Sequence, residues 1–443
     1  MSSSNTDSKL LASAFRHAAN DAVGGWAVQA QRGFISGRSM LENVVEVESH
    51  AMRASFNPRN RAALVLYDFA AAFPSLARAY MWMALAYMGF PPFVIRALQA
   101  LYADNKHFFG LGGLMSFAFI GLAGVRQGCP ASSTLFVIVT DPIIRALLLR
   151  LPRSCLLRAY ADDIAMVFCN FWVQAPCIAA MFVEIGSVSC LFLKSKKCVV
   201  IMLWKTNDRA CRTLIREMIP SWAAFGIADC GKYLGYLIGP GAGESSWREP
   251  ASKYIDRCRY VRQLGLGFTL SLYLYKVLAV SCMQFVAQLA RVPKWVLKLE
   301  KHGIDIVSGG PTNWLHSQAL SCLDELVGFH FVVPSLELVC NATIARTALV
   351  SVQNWRECAA IMDDGWADDE RALRPGLSSW YDSCMAYALC DAYRGLASLG
   401  AIRDSVLVDS KLAEILDKGS RKVQPRLMQI LCPDIANFDA FST

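Results

Sequence analysis

Two adjacent carboxylates, Asp162 and Asp163, interrupt the apolar run AYADDIAMVF at residues 159–168. The residues on both sides are typical of short buried strands, so the pattern predicts a hairpin whose reversal carries the two acids. At such a reversal one carboxylate can extend from the turn while its neighbour points aside. Paired acids at a turn often only cap a loop, so this feature alone leaves both a structural role and a metal-binding role open.

A second apolar strand, predicted over residues 62–67, ends in Asp68 and leads into the segment AAAFPS. If the two strand ends lie side by side in one sheet, their carboxylates repel each other strongly unless a cation compensates them. Divalent cations held there would suit phosphoryl transfer, in which one ion activates a hydroxyl and another holds the leaving phosphate. The residues alone leave open whether Asp68, Asp162 and Asp163 bind divalent cations or whether the paired acids only cap a turn.

Helices and strands alternate along the chain with loops of mixed length, which favours an α+β fold with an antiparallel sheet. Residues 1–60 are predicted to form helix, turn and helix, and two more helices follow the strand that ends in Asp68. The glycine-rich segment 108–125 predicts a hairpin, and residues 132–150 predict a helix. Beyond residue 247 the pattern is mostly helical.

The basic charge of the chain is concentrated in one segment. The net charge is +8, and residues 248–301 contain ten basic residues against three acidic ones. Lys253, Arg257 and Tyr260 follow i, i+4, i+7 spacing, which would place two cations and an aromatic ring on one helix face. Such a face suits a nucleic-acid backbone, although a merely solvated basic helix has the same pattern.

Membrane association has to be considered, because 54% of the residues are hydrophobic and the mean hydropathy is +0.33. The uncharged segment 108–125 contains five glycines and suits a hairpin better than a spanning helix. In the uncharged segment 164–183, Asn170, Gln174 and Pro176 would make a poor span. We therefore expect buried strands and helices and no membrane partner.

The N-terminus lacks the layout of a secretory signal, which predicts a protein of the nucleus or cytoplasm. Sixteen cysteines are scattered without a C-x-x-C pair or a Cys/His cluster at metal-ligand spacing. We expect them to be reduced thiols of the core and not a disulfide framework or a zinc site.

Six sequence blocks, in order, resemble the reverse transcriptase domain of non-LTR retrotransposons. The YADD block at residues 160–163 and the block DFAAAFPS at 68–75 are similar to the two acidic motifs of that family. The other four blocks are QRGFISGRS at 31–39, RQGCPASSTLF at 126–136, LKSKKC at 193–198 and KYLG at 232–235. The resemblance covers about residues 5–300, with a weaker tail at 310–314.

The resemblance implies catalytic roles for four residues. The resemblance implies that Asp68 and Asp162 are the principal ligands of Mg²⁺ and that Asp163 supports them, with Mn²⁺ as a second suitable ion. Lys197 is expected near the leaving pyrophosphate as a general acid or a fixed positive charge, with Lys196 an almost equal candidate.

Further residues are implied in substrate binding. Phe73, five residues after Asp68, is expected under the incoming sugar, where its ring would exclude a 2′-hydroxyl; an ordinary core phenylalanine is the alternative. Gln127 and Gly128 are expected to let the chain approach the nucleotide and the templating base. Arg126 and Tyr160 are also expected to bind the substrate. Arg38 is expected to contact template or triphosphate, or otherwise to pair with Glu42 at i+4.

The implied fold is the right-handed polymerase palm, an antiparallel sheet with packed helices. We expect residual fingers at residues 1–60, a palm with an interleaved fingers segment at 61–246, a basic helical thumb at 247–301 and a helical extension at 302–443. The implied function is RNA-directed DNA polymerisation by two-metal nucleotidyl transfer to a primer 3′-hydroxyl. RNA template, DNA primer and deoxynucleoside triphosphates are the expected partners.

The chain also departs from the family pattern. The block that precedes residue 5 in the family and helps to build the fingers has no counterpart, and neither an endonuclease domain nor a Cys/His knuckle is recognised. A separate chain is therefore a candidate to supply fingers or endonuclease. The alternative function is an inactive remnant that still binds RNA through its basic segment. The acidic stretch MDDGWADDE at 362–370 is expected to be a solvated loop.

Overall fold

The computed structural model describes residues 6–56 and 61–310, together with residues 320, 333, 335–340 and 343. The chain divides into two compact units between Gly241 and Ala242, close to the predicted palm–thumb boundary at residue 246. The four-part domain assignment itself stays a prediction. Most of the predicted C-terminal extension, including the acidic stretch at 362–370, lies outside the described residues.

The first unit contains the predicted mixture of helices and strands. Its helices are α1 (Thr6–Trp26), α2 (Met40–Ser55), α3 (Ala72–Ser75), α4 (Arg78–Tyr87), α5 (Pro92–Tyr102), α6 (Ser132–Arg150), α7 (Phe171–Ser189) and α8 (Asp208–Met218). Its strands are β1 (Ala63–Tyr67), β2 (Lys106–Leu111), β3 (Leu114–Ile120), β4 (Leu156–Tyr160), β5 (Asp163–Phe168), β6 (Val199–Met202), β7 (Gly226–Ile227), β8 (Gly231–Tyr233) and β9 (Tyr236–Ile238). The α+β prediction is confirmed.

A five-stranded sheet with the order β4-β5-β1-β6-β7 forms the centre of this unit. Its pairings are antiparallel except for β6 with β7. Every residue of β1 is buried, which requires both faces of the sheet to be covered. Helix α2 packs against β1, β4 and β5, and α7 packs against β5 and α6. The strand β1 and the hairpin β4–β5, which carry the predicted acids, therefore lie side by side in this sheet, with β4 at its edge.

A half-buried ion cluster ties α2 to the sheet. Glu46 on α2 forms a paired contact with Arg32, with both nitrogen–oxygen distances 2.7 Å, and it also contacts Arg158 of β4. Burial acts against the charge of Glu46, but the hydrogen bonds and charges of the two arginines lower its pKa overall. Asn43 adds a neutral link, since its amide donates to the Ala159 carbonyl over 2.9 Å.

The two segments considered for membrane spanning fold differently from a spanning helix. Residues 106–120 form the predicted hairpin, β2–β3, and residues 164–183 are split between β5 and α7. By length and composition alone, three helical stretches of the described residues could cross a membrane: Ser132–Arg150, Phe171–Ser189 and Phe268–Ala287. In this fold the most apolar 18 residues of these three stretches are 67%, 33% and 44% buried, in that order. The expectation of no membrane partner stays a prediction.

The second unit is helical over its described residues up to 308, as predicted. It contains α9 (Arg248–Gln263), α10 (Phe268–Leu274), a π-helical turn at Tyr275–Val280, α11 (Ser281–Ala287) and α12 (Lys294–Ser308). The hydroxyls of Tyr254 and Tyr275 lie 3.0 Å apart in its interior. The carboxyl of Glu300 is also buried there and accepts the Leu336 backbone N–H over 2.6 Å.

Candidate active site

The register of the central sheet brings the predicted acids to one end of it. Strands β1 and β5 are antiparallel, with Tyr67 opposite Ile164. Asp68 directly follows Tyr67, and Asp163 directly precedes Ile164 on its own strand. The two carboxylates therefore emerge beside each other where the two strands end.

The turn between β4 and β5 consists of Ala161 and Asp162, because Tyr160 pairs with Asp163. Ala161 has a φ of 57°, a left-handed conformation that costs a residue with a Cβ atom some strain. The side chain of Gln31, which is fully buried, holds this turn. Its Oε1 accepts the Ala161 N–H over 2.9 Å, and its Nε2 donates to the Ala161 carbonyl over 3.2 Å. The position of the acids thus depends on a residue 130 positions earlier in the chain.

The residues around Gln31 add further bonds to the same hairpin. The Arg32 N–H donates to the Ala159 carbonyl over 2.9 Å, and the Ala159 N–H donates to the Ala30 carbonyl over 2.8 Å. Gln31 Oε1 also accepts the Gly33 N–H over 2.8 Å. Gly33 passes so close to the hairpin that a Cβ atom there would lie 2.2 Å from the Ala161 nitrogen. Only glycine fits this approach without moving the backbone.

Asp68 is fixed by the segment that carries the candidate lysines. The Lys194 N–H donates to the Asp68 carbonyl over 2.7 Å, and the Asp68 N–H donates to Cys198 Sγ over 3.4 Å. Lys197 Nζ lies 3.6 Å from Asp68 Oδ2, with 58% and 35% of the two side chains exposed. The sequence left Lys196 and Lys197 as near equals; the structure brings Lys197 to the carboxylate.

An open cleft of about 600 Å³ lies over this end of the sheet. Of the predicted site residues, it is lined by Asp68, Asp163, Tyr160 and Lys197, whereas Asp162, Lys196 and the remaining predicted residues do not line it. The other lining residues are Met40, Lys232, Leu234 and Gly235. Sequence reasoning gave no role to Gln31, Met40 or Lys232. The only available signal was that Gln31 and Lys232 occur inside blocks that resemble the family.

The three carboxylates interact electrostatically. The pKa of Asp163 is raised to about 6, chiefly by burial and also by the negative charges of Asp162 and Asp68, with Lys197 opposing the rise. Burial also raises the pKa of Asp162, and the charge of Asp68 contributes. A divalent cation would relieve this repulsion, and carboxylate oxygens are ligands that Mg²⁺ prefers. The donor chemistry therefore fits Mg²⁺, although the described part of the chain contains no group of three His, Cys, Asp or Glu side chains arranged to hold a metal ion.

Phe73 lies in α3 between the core and a partly exposed aromatic group. Its ring stacks on Phe136 with centroids 4.3 Å apart, and the ring of Phe34 meets it edge-on at 6.3 Å. Phe34 also lies 6.3 Å from Tyr160, has a φ of 57° and is half exposed. Core packing and a contact with the sugar are both compatible with this position, so the role of Phe73 stays a prediction.

Arg38 has contacts other than those predicted. Its Nη1 donates to the carbonyls of Val28 and Gln31 over 2.7 and 2.6 Å, and its Nη2 donates to the carbonyls of Gly24 and Ala27 over 3.2 and 2.8 Å. The guanidinium thus caps the end of α1, where helix carbonyls lack partners. The alternative pairing with Glu42 is not formed, because Glu42 pairs with Arg32. The predicted contact of Arg38 with template or triphosphate has no support from this geometry.

Arg126, Gln127 and Gly128 precede α6. The Arg126 guanidinium lies over the Tyr102 ring at 5.3 Å, and its Nε is buried without a hydrogen-bond partner. Gln127 and Gly128 are exposed, and Gly128 has a φ of 80°, which favours glycine. Their predicted contacts with the nucleotide stay predictions.

Helix α9 of the second unit has the face that its spacing predicts. Lys253, Arg257 and Tyr260 are exposed, whereas Tyr254 and Cys258 are buried. Lys253 also forms an ion pair with Glu249 over 2.7 Å. An exposed basic and aromatic face is confirmed; its binding to nucleic acid stays a prediction.

Two strand ends that present carboxylates beside each other in an antiparallel sheet, with helices packed on the sheet, form the palm of a nucleic-acid polymerase. Residues 1–238 match the family described as reverse transcriptase (RNA-dependent DNA polymerase), which is more than half of the chain. The chain therefore belongs to the reverse transcriptase family.

Comparison with curated proteins found no match. Similar solved structures include apo telomerase from Candida tropicalis, with a TM-score of 0.41, 10% identity, and coverage of 86% of this chain and 61% of that one. A Candida tropicalis form truncated from the C-terminal domain has a TM-score of 0.37 and 13% identity, with coverage of 53% of this chain and 43% of that one. Telomerase from Candida albicans in complex with a fragment of telomeric RNA has a TM-score of 0.35 and 11% identity, with coverage of 91% of this chain and 59% of that one. The chain spans less than two thirds of each of these structures, and similarities of this size do not distinguish one kind of reverse transcriptase from another.

Proposed function

We propose that this chain is the RNA-directed DNA polymerase of a non-LTR retroelement. The observation that carries the proposal is the cleft in which Asp68 and Asp163 lie together, with Asp162 next to them in the turn. The order of the six blocks, from QRGFISGRS to KYLG, supports the non-LTR type.

The proposed reaction is the attack of a primer 3′-hydroxyl on the α-phosphorus of a deoxynucleoside triphosphate, with pyrophosphate leaving. Asp68, Asp162 and Asp163 would hold Mg²⁺, or Mn²⁺, which when bound lowers the pKa of the hydroxyl and neutralises phosphate charge. Lys197 and Lys232 line the cleft with positively charged groups that attract the triphosphate. Lys197 is the candidate to give a proton to the leaving pyrophosphate. Phe73 is proposed to exclude the ribose 2′-hydroxyl.

The proposed partners follow from the same reaction. An RNA template and a DNA primer carry dense negative charge, for which the exposed Lys253 and Arg257 of α9 are suitable contacts. Tyr260, also exposed, can stack on a base. A second polypeptide that supplies fingers or endonuclease is part of this proposal, as is a location in the nucleus or cytoplasm.

A catalytically inactive chain that binds RNA is the second candidate. Two observations favour it: no three side chains of the described residues are arranged as a metal site, and Lys197 lies beside Asp68 where a cation would otherwise bind. This candidate retains the basic face of α9 and gives no role to the cleft.

Primer extension on a homopolymeric RNA template, with Mg²⁺ or Mn²⁺, tests the two candidates. The parent chain is compared with Asp68→Asn, Asp162→Asn and Asp163→Asn, each of which removes a charge with little change in volume. Asp21→Asn is the matched control, because Asp21 is exposed on α1 away from the acids in sequence. Extension that is lost in the first three variants and kept in the control supports the polymerase. No extension by the parent, together with salt-sensitive RNA binding, supports the inactive chain.

A further inference from the structure

Two cysteines lie together at the open end of the hairpin formed by β4 and β5. Cys155 directly precedes β4, and Cys169 directly follows β5. Leu156 pairs with Val167, so the two cysteines flank the last pairs of the ladder. The turn with Asp162 is at the opposite end of the same hairpin. This cysteine pair therefore belongs to the catalytic hairpin but is separate from the candidate active site.

Each thiol contacts the backbone beside the other. The Cys169 N–H donates to Cys155 Sγ over 3.5 Å, and Cys169 Sγ donates to the Ser154 carbonyl over 2.7 Å. Both cysteines are partly exposed. The sulfurs are thus adjacent and accessible to a small molecule in solution.

The neighbours of the pair favour a thiolate on Cys169. The adjacent Cys155 thiol and His50 lower the pKa of Cys169, whereas the Cys169 thiol raises the pKa of Cys155. His50 Nε2 also lies 2.9 Å from the Ser154 carbonyl oxygen, which holds the ring next to the pair. Gln174 Oε1 accepts the Cys155 thiol over 3.2 Å. Cys169 therefore supplies the attacking sulfur, and Cys155 lies next to it for the second step.

Among the described residues, no three His, Cys, Asp or Glu side chains are arranged to hold a metal ion, and this includes His50, Cys155 and Cys169. Thiol–disulfide exchange needs only the two adjacent sulfurs, of which the more acidic one reacts first.

We propose that Cys155 and Cys169 form a reversible disulfide by exchange with a small-molecule disulfide such as oxidised glutathione. The Cys169 thiolate attacks one sulfur of oxidised glutathione, a mixed disulfide forms, and one glutathione thiolate leaves. Cys155 then attacks the Cys169 sulfur, loses its proton, and expels the second glutathione. The chain loses two hydrogen atoms, and one oxidised glutathione becomes two reduced ones. The product is a covalent staple across the end of the hairpin.

Peptide mapping of the full chain tests this proposal without any assay of polymerase activity. The reduced protein is equilibrated with oxidised and reduced glutathione at a tenfold excess of the oxidised form, blocked with an alkylating reagent, and digested without reduction. Trypsin cuts after Arg153 and Arg158, so Cys155 is released in the short peptide 154–158. The expected product is this peptide linked to peptide 159–194, two hydrogen atoms lighter than the sum of both and separated by dithiothreitol. A rise in melting temperature of about 5 °C is expected with it.

Peptide 159–194 also contains Cys177 and Cys190, which provide the controls. Cys177→Ser and Cys190→Ser should keep the linked peptide, because both residues are exposed and Cys155 contacts Cys169 in the hairpin. Cys169→Ser should abolish the linked peptide, and Cys155→Ser should leave a glutathione adduct on Cys169. Independent alkylation of both thiols in the oxidising buffer, or a link that persists in Cys169→Ser, would overturn the proposal.

Discussion

The contact between Gly33 and the acidic turn offers the sharpest test of how the site is positioned. A Cβ atom on Gly33 would lie 2.2 Å from the Ala161 nitrogen, 2.8 Å from the Tyr160 carbonyl carbon and 3.0 Å from the Ala161 Cα. All three neighbours are backbone atoms, so no side-chain rotation can relieve the contact. In Gly33→Ala the turn that carries Asp162 and Asp163 must therefore move.

The size of the effect follows from these distances. The shortest one falls more than 1 Å below an ordinary contact of 3.4 Å, so the turn is displaced by about 1 Å. A misplacement of about 1 Å in a catalytic group costs on the order of a hundredfold in rate. Overpacking of a well-packed interior also costs about 1 to 3 kcal/mol of unfolding free energy. We expect both losses in Gly33→Ala.

Three measurements check this expectation: the primer-extension rate at saturating nucleotide, the unfolding free energy in urea, and hydrogen exchange of the backbone at residues 159–163. Exchange should accelerate, because the Ala161 N–H loses its bond to Gln31 when the turn moves. The matched control is Gly25→Ala in α1, where a Cβ atom would meet nothing within 4 Å. Alanine at that helical position should be neutral or slightly stabilising.

Gln31→Leu provides an independent perturbation of the same turn, since it removes the hydrogen bonds to Ala161 at nearly constant volume. Gln31→Glu keeps the acceptor for the Ala161 N–H and should restore part of the rate. The reasoning is refuted if Gly33→Ala retains the parent's unfolding free energy, extension rate and exchange pattern. A chain without polymerase activity would still be judged by the exchange and unfolding measurements.

Three further predictions concern buried charges and the basic helix. Glu46→Ala leaves the half-buried Arg158 without a carboxylate and Arg32 with Glu42 alone, so it should lower the unfolding free energy at pH 7 by about 2 kcal/mol. Because the pKa of Glu46 is lowered in the fold, the parent should lose this contribution as the pH falls below about 4.5 in a pH series of urea titrations. The pKa of Glu300 is raised to about 7, chiefly by burial, with the Leu336 N–H opposing the rise and Glu337 adding to it, so the parent should lose stability as the pH rises from 4.5 to 7. Glu300→Gln should remove this loss, and its unfolding free energy at pH 8 should exceed that of the parent by about 2 kcal/mol. Equal dependence of the unfolding free energy on pH in both proteins would contradict the expectation. Lys253→Ala with Arg257→Ala should weaken RNA binding and reduce the slope of log affinity against log salt by about 2 in filter binding, and an unchanged slope would remove α9 from the interface.

Local sequence was sufficient for the elements that carry the acids. The apolar run before Asp68 became β1, and AYADDIAMVF became the end of one strand, a turn and a second strand. The helix over 132–150 has the predicted bounds, and the glycine-rich segment forms a hairpin. These features are set by the period of apolar residues and by turn residues a few positions apart, which a sequence displays directly.

The roles of individual side chains were less accessible. The guanidinium of Arg38 caps the end of α1, where the last helix carbonyls lack intrahelical partners, and its expected contact with substrate stays a prediction. Lys196 and Lys197 could not be separated until the turn at residues 194–197 fixed their directions. Lys232 belongs to the block KYLG at 232–235, but the sequence indicated no role for its side chain, which lines the cleft in the structure.

The sequence by itself determined the family, the strand–turn–strand elements and the acids they carry, since each depends on neighbouring residues. Tertiary structure alone decided that Gln31 and Gly33 hold the acidic turn, that Asp163 shares a cleft with Asp68, and that Cys155 meets Cys169. These contacts join residues up to 130 positions apart. Their geometry depends on the register of the sheet and on side-chain packing, which arise only when the whole chain closes around its core.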